Sequence, residues 1–167
     1  NVTVDEVNDK PIVGNEITST NEDTPVTFDV LANDSDVEND ALSVSVATVT
    51  TGQGSVVING DTTLTFPPTE NWNGAAEVTY TVLDARGETQ TGIFSVTVNP
   101  VDDKATVTST SVGDIDYTEN DPSTVVDSLL VLNDIDSGNL TGGSVTISNF
   151  ESTDILSFTN TATVSGA

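Results

Sequence analysis

Residues 77–98, EVTYTVLDARGETQTGIFSVTV, decide the fold of this chain. Val78, Tyr80 and Val82 alternate with Glu77, Thr79 and Thr81, and Phe94, Val96 and Val98 alternate with Ser95 and Thr97. A period of two places every second side chain on one face of a strand. Between the two runs, Asp84-Ala85-Arg86-Gly87 reads as the turn that brings the second strand back antiparallel to the first. Tyr80 and Phe94 are therefore expected in the core.

Working outward, Val26–Leu31 and Leu42–Val46 alternate in the same way, and Ser55–Ile58 and Thr62–Phe66 flank Asn59-Gly60-Asp61, a hairpin signal. Thr and Val dominate these segments, and β-branched side chains suit a pleated, half-buried surface. No segment keeps a helical period. About seven short strands with turns between them point to an all-β, immunoglobulin-like antiparallel sandwich, with enough chain to bury one modest core.

The pattern then recurs. Residues 1–13, NVTVDEVNDKPIV, are echoed by residues 95–107, SVTVNPVDDKATV. Leu31-Ala32-Asn33-Asp34-Ser35-Asp36 is echoed by Val131-Leu132-Asn133-Asp134-Ile135-Asp136, and Asn21-Glu22-Asp23-Thr24-Pro25 by Glu119-Asn120-Asp121-Pro122. A repeat of about 95 residues is the size of a sandwich domain and not of a solenoid unit. The expected organisation is tandem: residues 1–7 as the last strand of a preceding module, 8–103 as a complete one, and 104–167 as the start of another. In that third part strands are expected near 115–117, 125–132, 144–148, 155–158 and 161–164. The last two strands of the first copy have no counterpart there, which reads as truncation.

Composition narrows the function. The 167 residues include 27 acidic and three basic side chains, Lys10, Arg86 and Lys104, for a net charge of −24, with no Cys, His or Met. Without Cys or His there is no thiolate nucleophile, no Ser-His-Asp relay and no usual zinc or copper ligand set. A glycosidase needs a carboxylate pair with one pKa raised in a desolvating cleft, and no aromatic-lined cleft is legible. The chain reads as non-enzymatic. So negative a surface repels nucleic acid and anionic lipid, and no segment approaches a membrane span. What it attracts is a hard cation, and an oxygen-only ligand supply suits calcium.

The acids fall where such an ion could be held. Asp34-Ser35-Asp36-Val37-Glu38-Asn39-Asp40 spaces carboxylates along a loop, Asp84 opens the turn before the last strand, and Asn8-Asp9 and Asp102-Asp103 lie in the linkers. Glu22 ends the first strand, and Glu119 holds the same place in the next copy. The loops of a sandwich gather at two poles. Asn8, Asp9, Asp34, Asp36 and Asp84 should share the near pole, with a partner from the preceding module. Glu22, Asp102, Asp103, Asp134 and Asp136 should form a second set at the far end. Glu38, Asp40, Asp23 and Glu70 read better as solvated surface.

VLANDSDVENDAL at 30–42, GSVVINGDTTLTFPPTENWNG at 54–74, AEVTYTVLDARG at 76–87 and TVNPVDD at 97–103 together resemble the cadherin-like tandem repeats of large bacterial adhesins and RTX-type surface proteins. YTENDP, LNDIDSGNLTG and ILSFTNTATVSG in the second copy resemble another variant of the same class. The resemblance implies extracellular or cell-surface location and calcium at module junctions. The ligands it implies are Glu22, Asp34 and Asp36, the acidic turn from Asp84 to Gly87, and the linker acids. The acidic D-R-E motif of animal cadherins is missing, and Glu70 stands alone in that region.

The reading that follows is a calcium-rigidified extender module of a secreted adhesin, whose partners are calcium and the neighbouring modules of its own chain. The alternative is a carbohydrate- or protein-binding module attached to a larger secreted enzyme. Trp72, in Asn71-Trp72-Asn73-Gly74, is the residue that alternative would use, against a plain structural role in the turn. Homophilic contact has no exposed aromatic anchor to recommend it.

Overall fold

The computed structural model describes residues 7–60, 62–108 and 131–136, so Glu119 and the strands expected at 115–117, 144–148, 155–158 and 161–164 lie outside the described residues, as does most of 125–132. The chain divides into two compact units, Asn1–Val101 and Asp102–Ala167.

Among its described residues, seven strands build the first unit: β1 (Glu16–Asn21), β2 (Val26–Asp29), β3 (Ser43–Thr51), β4 (Val57–Asn59), β5 (Thr63–Phe66), β6 (Gly74–Leu83) and β7 (Thr89–Asn99). They form two layers, a four-stranded sheet in the order β1-β7-β6-β3 and a three-stranded sheet in the order β2-β5-β4. The alternation read from the sequence sets the register: Val78 faces Phe94 across the β6–β7 ladder and Ala76 faces Val96. Their inward side chains, with Leu64 and Phe66 of β5 and Val30, make the core, and Tyr80 and Phe94 are fully buried in it. Phe28 of the small sheet stacks on Phe94 of the large one, ring centres 5.4 Å apart, and ties the layers together.

Two features depart from the sequence reading. β1 joins β7 in parallel, Glu16 beside Phe94 and Asn21 beside Asn99, while the other pairings of this unit are antiparallel. The second is in β3. The alternation Leu42, Val44, Val46 predicts three inward side chains, yet Val44 is buried and Val46 is 54% exposed. Val44 pairs with Val82 and Val46 with Thr81, so a bulge at Ser45 shifts the phase of the strand. From there Ala47 and Val49 take the inward positions.

Tyr80 carries a polar group into this core. Its hydroxyl lies 2.5 Å from Glu16 Oε2 and 3.1 Å from the Val30 carbonyl oxygen. Burial and the neighbouring Glu16 carboxyl hold its proton on far above the ordinary phenol range. Trp72 packs half-buried against the core, in a turn closed by the Thr69 carbonyl and the Trp72 amide. In the second unit, β8 (Thr106–Thr108) pairs antiparallel with β9 (Val131–Asn133). Among the described residues no helix is long and apolar enough to cross a membrane.

Candidate metal centre

The near pole is built by three segments. β2 ends at Asp29 and β3 begins at Ser43, so residues 30–42 arch over the end of the sandwich where β6 also runs out, at Leu83. The incoming chain is pinned to this arch by paired backbone bonds between Ile12 and Ser35.

Within the arch, Asp36 acts as the hub. Its Oδ1 accepts the amides of Glu38 at 2.9 Å and Asp40 at 3.1 Å. The tight curl this needs puts Asn39 at φ 61°, a left-handed conformation that Asn tolerates. The curl brings Asp36, Glu38 and Asp40 together, with one carboxylate oxygen of each lying within 4.8 Å of the others. Oxygens bound to one calcium at about 2.4 Å can lie no more than about 4.8 Å apart, so the three can share an ion. Asp36 is only 9% exposed. Its Oδ2 is buried without a hydrogen-bond partner. An orphaned buried carboxylate oxygen costs free energy until something positive meets it.

Glu38 and Asp40, read as solvated surface from the sequence, are thus members of the cluster. Their signal lay in the i, i+2, i+4 spacing from Asp36, which one Asx-type curl converts into proximity. Asp34 is placed differently. Its Oδ1 accepts the Gly14 amide at 2.8 Å, its charge is felt by Glu16, and it feels that of Asp29. Burial, more than Asp29, raises its carboxyl above the ordinary range, against the lowering by the Gly14 amide.

Asp84 organises the other side of the pole. Its Oδ1 accepts three successive amides, Arg86, Gly87 and Glu88, at 2.6–2.9 Å, and its Oδ2 accepts the Asn8 side-chain amide at 2.9 Å. Burial alone pushes its pKa up. The bonds from Asn8 and the three amides outweigh that and leave the carboxyl below its ordinary value, ionised at neutral pH. Asn8 in turn keeps its Oδ1 buried and unpartnered, and the Asp9 amide donates to Glu38 Oε2 at 3.2 Å. The linker therefore reaches both sides of the pole, Asn8 closing onto the Asp84 turn and Asp9 onto the arch.

A cation of the chain itself sits at the rim. Arg86 Nε is 3.0 Å from Asp40 Oδ2. Half-exposed ion pairs contribute about 0–1 kcal/mol, so this one matters more for charge than for stability. Arg86→Gln is expected to change the unfolding free energy by less than about 0.5 kcal/mol. It should tighten calcium binding about three- to tenfold by removing a positive neighbour. Paired urea melts and calcium titrations of the variant check both halves.

At the far pole, Glu22 follows the last residue of β1 and is 2% exposed. One carboxylate oxygen accepts the Val101 amide at 2.5 Å, and the other, Oε2, is buried without a partner. In the second unit, Asp136 Oδ2 accepts the Asp103 amide at 2.5 Å and Asp134 Oδ1 accepts the Asp136 amide at 3.1 Å. Asp102 is exposed beside them. Linker and D-x-D acids are thus brought together in this unit too.

A seven-stranded sandwich with acids gathered at its ends invites comparison with known proteins, and the family model of the cadherin-like domain matches residues 7–99. The chain belongs to the cadherin-like domain family. A cadherin-like domain is an adhesion-type extracellular module. No curated protein matches the chain. Among solved structures, one similar chain is a nucleoside hydrolase-related hypothetical protein from Saccharophagus degradans, described as associated with carbohydrate metabolism. It aligns at 16% identity and a TM-score of 0.45 over 55% of this cadherin-like chain and 26% of its own, so the present chain spans about a quarter of that protein.

Proposed function

We propose that this cadherin-like chain is a calcium-binding extender of a secreted or cell-surface bacterial adhesin, one of several tandem modules that hold a distant binding domain away from the cell. The observation that carries the reading is the set of buried carboxylate oxygens without partners at the two poles, Asp36 Oδ2 at one and Glu22 Oε2 at the other. The donor set is oxygen only, which fits calcium and no softer metal. Asp36, Glu38 and Asp40, with Asn8, hold the ion at the near pole, and Glu22 offers its free oxygen at the far one. The ion supplies positive charge beyond the single Arg86 guanidinium that meets Asp40.

In the absence of calcium the clustered acids repel one another and the ends of the module loosen. With calcium they are neutralised and drawn to a common centre, and the linkers stiffen because Asp9 is tied to Glu38 of the cluster and Asn8 to Asp84. A row of such modules then behaves as a rod. The net charge of −24 also keeps neighbouring rods apart.

Titration calorimetry of the whole chain tests the reading. Calcium should bind with a dissociation constant of about 10⁻⁴–10⁻³ M, the range of extracellular modules, with magnesium much weaker. Asp36→Asn keeps the acceptor for the Glu38 and Asp40 amides but loses a charge, and should weaken the near-pole ion about tenfold. No calcium heat, or equal heats for calcium and magnesium, sinks the proposal.

A further inference from the structure

The edge strands of the two sheets are not equally guarded. An open edge presents unpaired amides and carbonyls to any other strand, and proteins blunt it with short length, proline or charge. β2 has four residues, preceded by Pro25 and ending on the exposed Asp29, and β4 has three. β1 turns the Glu16 carboxyl inward. β3 has nine residues, SVSVATVTT, with no charge, proline or glycine. It pairs with β6 on one side, and among the described residues no strand pairs with its other side.

Charge singles out the same flank. Residues 41–60 carry no ionisable side chain, the longest such run in a chain of net charge −24. β4 lies beside β3 there with Val57 exposed, and Val46 and Thr48 of β3 are exposed as well. Two irregularities, at Val44–Val46 and Val49–Thr51, bound a regular stretch, Val46–Val49. Bulges at an edge terminate pairing, so these two set the length of strand on offer.

We infer that β3 is a docking edge for a second copy of this chain, the two β3 strands pairing antiparallel about a two-fold axis so that two four-stranded sheets become one continuous sheet. A contact of this symmetry uses the same patch on both molecules and is self-complementary. Charge selects it too. Two molecules this acidic can meet along the middle of β3 without setting carboxylate against carboxylate. Antiparallel pairing also brings the start of one β3 beside the end of the other. Arg86, 3.0 Å from Asp40 just before β3 begins, then comes to the corner where Glu77 of the other copy stands opposite Thr51. A cation thus meets an acid at both corners. Backbone hydrogen bonds carry the contact, so it needs no aromatic anchor. The ladder itself uses none of the acids at the poles, and it sets two modules side by side.

Sedimentation equilibrium of the full chain at about 0.15 M salt tests it. So short a ladder pairs weakly, and wild type should pass from monomer to dimer at about 10⁻⁴–10⁻³ M protein. Val46→Glu and Thr48→Glu each set like charges against one another across the pair and should weaken it at least about tenfold. Ile17→Glu adds the same charge at an exposed position of β1, the opposite edge of this sheet, and should leave the dimer unchanged. Circular dichroism melts check that each variant folds, and if one β3 variant does not, the other decides. A wild type that stays monomeric at about 1 mM overturns the docking edge. So does a dimer indifferent to the β3 charges, or one weakened equally by Ile17→Glu.

Discussion

Phe94→Ala lowers the unfolding free energy of the first unit by about 3–5 kcal/mol, the range for deleting a buried aromatic ring. The ring is 0% exposed at the middle of β7, beside Val78 of β6. It is also the one that Phe28 stacks on from the other sheet. Removing it opens a void at the contact between layers, and the partners on either side belong to different ladders that cannot close together. Domains of this kind carry only about 5–15 kcal/mol in total, so the loss takes up a large share of stability. Val46→Ala is the counterpart. Alternation alone makes Val46 a core residue, whereas the bulge turns it outward, so its truncation should cost less than about 0.5 kcal/mol. Urea denaturation of both variants settles the matter. Equal costs would mean that β3 runs without its bulge and that the layers do not meet at Phe94.

That contrast also shows how far the sequence can be read. β6 and β7 were legible because their apolar residues alternate without interruption, and burial on one face is what alternation encodes. The parallel pairing of β1 was not. Glu16–Asn21, EITSTN, offers one apolar residue, Ile17, and that side chain is 78% exposed. What the strand buries is Glu16, held by a phenol from β6 some 64 positions away in sequence. No local pattern announces a buried carboxylate whose partner is that distant. The poles were legible as places, since loops of a sandwich collect at its ends and the acids lie in loops. Which acids meet was not. Asp34 and Asp36 look like a matched pair in sequence, but Asp34 turns to the Gly14 amide and Asp36 to the amides of Glu38 and Asp40. Side-chain direction in an irregular loop follows from its hydrogen bonds, and spacing carries little of that information. The expected places of Glu119 and the later strands of the second copy lie outside the described residues.

Calcium should raise the melting temperature of the first unit steeply, and the acidic variants should reverse sign between buffers. At about 10 mM calcium and a dissociation constant of about 10⁻⁴–10⁻³ M, mass action stabilises the folded state by about 1.4–2.7 kcal/mol per site. For a domain of this size each kcal/mol moves the midpoint by about 4–8 °C, so one ion gives about 6–22 °C. Sites at opposite poles share no ligands and should add. Asp36→Asn then separates a bound ion from a merely acidic surface. In excess EDTA the variant removes one of three crowded carboxylates and melts at or above the wild type. In calcium it loses the near-pole ion and melts below it. Glu22→Gln, which keeps an acceptor for the Val101 amide, should cross over in the same way. A solvated acidic loop cannot produce that crossing, because screening by calcium, magnesium or sodium lifts wild type and variant together. Circular dichroism melts of the three proteins in calcium, magnesium and EDTA therefore carry the decision, and parallel curves in all buffers would leave the clustered acids without an ion to hold.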